Sequence, residues 1–298
     1  MSAGAAGERS AARAFDVARF GEQRRQRSLG WGEPFVFSPE TGSTNDDALA
    51  AARAGTPHGS VFLADHQTQG RGRRGKTWVA APGHNLLFSI VLRDGLAPSP
   101  RDTPSPRDTP SLRDTPSLRD AAATGVGALT LAVGLGVRDA LATHARSPLA
   151  VKWPNDVLAG PRKLAGILCE GLFVGSRLEA VVIGIGINVL DASYPPELEA
   201  QVASLEALAG SPLEREPLLV DVLGRVEARV RTYLDAGFSA LLEDFIRHDA
   251  LAGERVEVSG ASPVRGLARG VDAAGRLLVE SDGLLVPVIS GTVRIVEH

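Results

Sequence analysis

Apolar and polar positions change rhythm along this chain. Short β-branched and aromatic runs alternate with longer Ala- and Leu-rich ones as far as about Asp249, and only short alternating runs follow. The short runs Pro34–Phe37, Ser60–Ala64, Asn85–Leu92, Val151–Trp153, Leu164–Cys169 and Leu178–Val189 predict strands. Asn85–Leu92 is apolar at nearly every position, so it must be largely buried. Helices are predicted over Asn45–Gly55, opened by capping hydroxyls at Ser43 and Thr44, and over Ala121–Ala145, which is apolar on most faces and belongs against a sheet. Leu218–Leu234 and Ser239–His248 read as amphipathic helices. Turn residues at Ala159-Gly160-Pro161 and Gly175-Ser176 imply hairpins, and so antiparallel pairs. The expected fold class is α+β around a mixed β-sheet.

From Gly253 five short strands are predicted, at Arg255–Val258, Val264–Val271, Leu277–Val279, Leu284–Val286 and Val293–Val296, divided by glycine turns. Five such strands close best as a small barrel, a second domain. The expected organisation is an arm over 1–33, flexible or one loose helix, a main domain over 34–250 and the barrel over 251–298. Within the main domain Arg-Asp-Thr-Pro-Ser recurs at Arg101, Arg107 and Arg113. A proline in every repeat and almost no apolar residue predict a solvated, disordered insertion over 97–120.

Composition narrows the function classes. With 298 residues, 44% hydrophobic and 22% charged, the chain has the make-up of a soluble globular protein. A net charge of -3 does not suit a general polyanion binder, so any role for arginine is local. There is no apolar run of about 18 residues to span a membrane and no apolar block of a signal peptide near the N-terminus. The single cysteine, Cys169, lies in an apolar run and reads as a reduced core thiol. A cytoplasmic protein is expected.

Chemistry concentrates in four places. Gly70-Arg71-Gly72-Arg73-Arg74-Gly75-Lys76-Thr77 fits the phosphate-binding pattern G-x-x-x-x-G-K-T letter for letter. That pattern needs a helix directly after it, however, and Pro82-Gly83 leave room for about one turn. Its three arginines suit binding by side chains better than a backbone cradle. Lys152-Trp153-Pro154-Asn155-Asp156 gathers a cation, an amide and a carboxylate at a strand end, and Lys163 follows across a short hairpin. Gly184-Ile185-Gly186-Ile187-Asn188 ends a hydrophobic strand with two glycines, which permit close backbone approach, and then an amide.

Taken with Ser43-Thr44-Asn45, Gln67, Trp78 and Lys163-Leu164-Ala165-Gly166-Ile167, these stretches resemble the ordered motifs of biotin protein ligases, from about Phe35 to the C-terminus. The resemblance implies a catalytic domain related to class II aminoacyl-tRNA synthetases followed by an SH3-like barrel. It implies ATP-dependent activation of biotin to biotinyl-5'-AMP, with Mg2+ bridging the phosphates, and transfer to a lysine of a biotin carboxyl carrier protein. By the same resemblance Ser43, Thr44, Asn45, Gln67, Arg71 and Gly72 bind biotin. Arg73 and Lys163 serve biotin, phosphate and catalysis, Trp78 lies beside adenine, and Asn155 and Asn188 read or brace the nucleotide. Lys76 departs from the pattern, standing where many members have another arginine. The arm is too short for the winged helix-turn-helix of bifunctional members, so no DNA binding is expected; monomer and homodimer both remain open. The alternatives are a lipoate or octanoate ligase or transferase of the same fold, and a P-loop nucleotide-binding protein using Gly70–Thr77.

Overall fold

The computed structural model describes residues 13–93, 126–175, 177–260 and 263–296. The repeat insertion expected at 97–120 lies outside the described residues.

Seven strands form the main sheet: β1 (Phe35–Thr41), β2 (Val61–Gln67), β3 (Asn85–Leu92), β4 (Leu149–Lys152), β5 (Asp156–Ala159), β6 (Arg162–Val174) and β7 (Arg177–Asn188). Their order across the sheet is β1-β2-β3-β7-β6-β5-β4, with β1 and β2 parallel and every other pair antiparallel. The mixed sheet and both hairpin turns therefore fall where the residue pattern put them. β3, the least polar run, lies next to the sheet's centre with all eight residues buried.

Helices cover both faces. α1 (Val17–Gln26) and α2 (Thr44–Arg53) precede the middle strands, and α3 (Gly127–Ala142) follows β3 in the described chain. α4 (Pro196–Glu199), α5 (Leu205–Ala209), α6 (Arg215–Ala236) and α7 (Leu242–Arg247) follow β7. α3 has buried residues on nearly every face because α6 covers it on one side and the sheet on the other. On the opposite face Ala48 and Ala52 of α2 pack against Phe62, Val91 and Val182. No helix among the described residues is long and apolar enough to cross a membrane.

The N-terminal arm differs from expectation: residues 13–33 are docked. Phe15, Phe20 and Trp31 are 4%, 1% and 3% exposed, and the Phe20 ring centroid lies 4.3 Å from that of Phe35. Arg215, itself buried, donates to Asp65 Oδ1 at 2.7 Å and to the Arg13 carbonyl, while Arg19 pairs with Glu214. Three isolated aromatics without helical spacing hide this docking from a periodicity search, yet each carries a large hydrophobic area.

The C-terminal sheet contains β8 (Arg255–Ser259), β9 (Val264–Val271), β10 (Leu277–Ser281), β11 (Leu284–Val288) and β12 (Thr292–Ile295), all antiparallel in the order β11-β10-β9-β8-β12. β11 and β12 are its edges, so strand pairing does not close the sheet into a ring. Trp153, buried at the β4–β5 turn, joins this sheet to the main domain by donating its indole N–H to the Gly275 carbonyl at 3.0 Å. Trp153→Phe keeps most of the packing and strands that carbonyl, so a loss of about 1 kcal/mol is expected. Thermal unfolding checks this; an unchanged midpoint contradicts it.

Candidate active site

A cavity of about 460 Å³ opens between the arginine loop, the ends of β4–β7 and the C-terminal strand β12. That is within the roughly 300–1,000 Å³ typical of small-molecule sites.

One wall is a neutral polar network. Ser43, Thr44 and Asn45 are buried at the start of α2, and Gln67 ends the neighbouring β2. Gln67 Oε1 accepts from the Thr44 backbone N–H at 2.7 Å, taking up one of the donors that a helix N-terminus leaves free. The Ser43 hydroxyl makes no capping bond, contrary to expectation, and lines the cavity. Ser89 Oγ lies 2.8 Å from Thr44 Oγ1 and 2.6 Å from Asn45 Oδ1. A hydroxyl has one proton, so Ser89 can donate to Asn45 while accepting from Thr44. Asn45 Nδ2 then donates to Glu170 Oε2 at 2.6 Å, and Arg71 Nη2 reaches the same oxygen at 3.0 Å and Asp46 Oδ1 at 2.8 Å. Ser89→Ala breaks the middle of this chain and is expected to cost about 1 kcal/mol, read as a lower urea midpoint.

Sequence reasoning passed over Ser89 and Glu170. Ser89 did carry a signal, as a hydroxyl inside the otherwise apolar run Leu86–Leu92. Glu170 had none, because its partners come from α2 and the arginine loop.

The floor is backbone. Gly166 on β6 pairs with Gly186 on β7, and the Trp78 indole lies against both. A Cβ at Gly186 would stand 2.7 Å from Trp78 Cε2, and one at Gly166 would stand 2.9 Å from Cζ3. The indole Nε1 is buried without a hydrogen-bond partner among the described residues, leaving one polar atom beside the cavity to be satisfied.

The opposite wall is cationic. Lys163 Nζ pairs with Asp156 Oδ1 at 2.6 Å and lies 5.1 Å from the Trp78 ring centroid. Burial disfavours the charged forms of Lys152 and Arg73 and lowers both; Asp156 opposes the shift in each. Desolvation outweighs Asp156 at both, so an incoming anion is favoured there. The backbone of Lys163 is fixed by its N–H to the Gln201 carbonyl at 2.7 Å and by its carbonyl, which accepts from Ala203 N at 2.9 Å and Asn188 Nδ2 at 3.3 Å. Asn188 thus braces the strand that carries Lys163, and it does not line the cavity. Asn155 lines the cavity while its Nδ2 donates to the Ile167 carbonyl at 2.9 Å.

The arginine loop is no P-loop. Arg71 bridges to Thr77, the Gly72 N–H donates to the Lys76 carbonyl at 2.7 Å, and Arg73–Gly75 make a single tight turn. No helix follows before β3, so the phosphate-cradling helix N-terminus is missing and the P-loop alternative falls. Cys169 offers no nucleophile either, since burial pushes its thiol up to about 12.

The family described as biotin/lipoate A/B protein ligase matches residues 38–104 and 110–188, and the one described as the biotin protein ligase C terminal domain matches 252–295. The biotin--[acetyl-CoA-carboxylase] ligase of Mycobacterium tuberculosis is 34% identical over 270 residues, which is 89% of this chain and 89% of that one. The chain belongs to the biotin protein ligase family. The bifunctional ligase/repressor BirA of Bacillus spizizenii is 28% identical over 89% of this chain and 74% of its own. The solved biotin protein ligase of Aquifex aeolicus in complex with biotin and ATP shares the fold, with a TM-score of 0.69 at 24% identity over 88% of this chain and 98% of that one. The first ligase-family match is interrupted only at 105–109, inside the proline repeat.

Proposed function

We propose that this chain activates biotin with ATP and transfers it to one lysine of a biotin carboxyl carrier protein, the acceptor domain of a carboxylase. The observation that carries the reading is the pairing of a neutral polar wall with a cationic wall across one cavity. The ureido ring of biotin needs matched donors and acceptors without net charge, which Ser43, Thr44, Asn45 and Gln67 supply. A carboxylate and a triphosphate need cations, which Arg73 and Lys163 supply with Lys152 beside them.

In the first step a carboxylate oxygen of biotin attacks the α-phosphorus of ATP. The bond from that phosphorus to the β-phosphate oxygen breaks, and pyrophosphate leaves. Magnesium enters as part of the ATP substrate. Lys163 and Arg73 offset the negative charge gathering on the α-phosphoryl oxygens, and Trp78 packs beside the adenine. In the second step the neutral amine of the acceptor lysine attacks the acyl carbon, the bond to the phosphate oxygen breaks, and AMP and a proton depart. Arg71, held by Glu170 and Asp46, fastens the loop over the biotin end and Gly72 brings the loop backbone close. Covering the mixed anhydride keeps water and stray amines from it.

Residues 13–33 form one ten-residue helix with Phe20 buried in the core. A cytoplasmic setting, which supplies both ATP and a reduced Cys169, is part of this proposal. The test is mass spectrometry of an acetyl-CoA carboxylase carrier domain after incubation with the protein, ATP, magnesium and either biotin or lipoate. One lysine is expected to gain biotin; modification with lipoate and none with biotin would favour the lipoate reading.

A further inference from the structure

The arginine loop is fastened at its tip to the second domain. Arg74, with a left-handed backbone (φ 57°), extends its side chain to the end of β8, where Nη1 donates to the Ser259 carbonyl at 3.0 Å. The next residue is shaped to receive it: a Cβ on Gly260 (φ 147°) would stand 2.6 Å from Nη2 and 3.0 Å from Nη1. Ser259 pairs with Thr292 of β12, and Thr292, Val293 and Arg294 line the cavity itself. The loop that covers the site and the strand that closes its far side are therefore held at one point. Because the acceptor is a neutral carbonyl and not a carboxylate, the contact is a single modest hydrogen bond that can be made and broken within a turnover.

We infer that Arg74 is a positioning residue that latches the arginine loop to the C-terminal sheet, so that shielding of the acyl-adenylate requires both domains. The inference rests on the ligase reading. Arg74 contributes nothing to phosphorus chemistry in this scheme; it limits opening of the loop while the intermediate waits for its acceptor. An unlatched loop admits water, which attacks the acyl carbon, breaks its bond to the phosphate oxygen and yields biotin carboxylate, AMP and two protons.

The readout is AMP formed with biotin, ATP and magnesium but no carrier protein, compared with the rate of the first turnover measured as a pyrophosphate burst. In Arg74→Ala the acceptor-free AMP rate is expected to rise roughly fivefold, the size of one hydrogen bond's effect on an equilibrium, while the burst rate stays within about threefold. Arg74→Lys retains one donor on a flexible stem and is expected to leak less than Arg74→Ala. Gly260→Ala displaces the guanidinium from the other side and is expected to leak similarly, and the double variant no more than Arg74→Ala alone, because both break one contact. Unchanged leakage in Arg74→Ala, or additive leakage in the double variant, overturns the latch. If Gly260→Ala does not fold, the Arg74 variants decide alone. Absence of any biotin-dependent AMP from the unaltered protein is a different result and overturns the ligase reading instead.

Discussion

Lys163→Ala is expected to slow biotin-dependent pyrophosphate release by roughly 100- to 1,000-fold, the usual cost of removing one group that stabilises transition-state charge. The side chain is the part that matters, because the strand around it is fixed by other bonds. Its N–H and carbonyl are engaged by Gln201, Ala203 and Asn188, so alanine leaves β6 in place. What disappears is the cation between the Trp78 ring and the Asp156 carboxylate, and Asp156 then presents uncompensated negative charge toward an anionic substrate. Lys163→Arg keeps the charge but exchanges a compact ammonium for a planar fork, so only partial recovery is expected. Stopped-flow pyrophosphate detection checks the rate and thermal unfolding checks the fold. A variant within tenfold of the unaltered rate contradicts the assignment.

Gly184→Ala carries the second large effect, and it is confined to biotin. A methyl group there would lie 2.1 Å from Asn45 Oδ1 and 2.8 Å from its Cγ. Asn45 has little room to retreat, since Oδ1 is held by Ser89 and Nδ2 by Glu170. The amide must swing away, breaking the chain of hydrogen bonds that orders the neutral wall. A roughly 10- to 100-fold rise in KM for biotin is expected, corresponding to the loss of one or two buried hydrogen bonds. KM for ATP is expected to change little, because the cationic wall stands on β4, β5, β6 and the loop. Equal rises in both constants contradict the division of the site.

Much of the main domain was legible because its pattern is strong. A nearly unbroken apolar run such as β3 can only be buried, and glycines at the β5–β6 and β6–β7 joins leave little choice but hairpins. The polar site was legible as separate clusters at strand ends, and the sheet order then brings β5, β6, β7 and the loop to one cavity. The arm was misread because three scattered aromatics have no period, although together they bury a large area. The second domain was legible from its five short alternating runs, which form the separate antiparallel sheet β11-β10-β9-β8-β12. The partners of Ser89, Glu170 and Arg74 were illegible for a shared reason. Each of these residues acts through partners more than 40 residues away, and no local pattern encodes that distance.

The central claim is that the two walls of one cavity hold biotin and ATP for direct reaction. Its most direct test is isotope exchange of labelled pyrophosphate into ATP without any carrier protein, since reversal of the first step alone produces label in ATP. The structure predicts exchange that requires biotin, is not supported by lipoate and is lost in Lys163→Ala. Exchange or ATP breakdown at the same rate with and without biotin would contradict it.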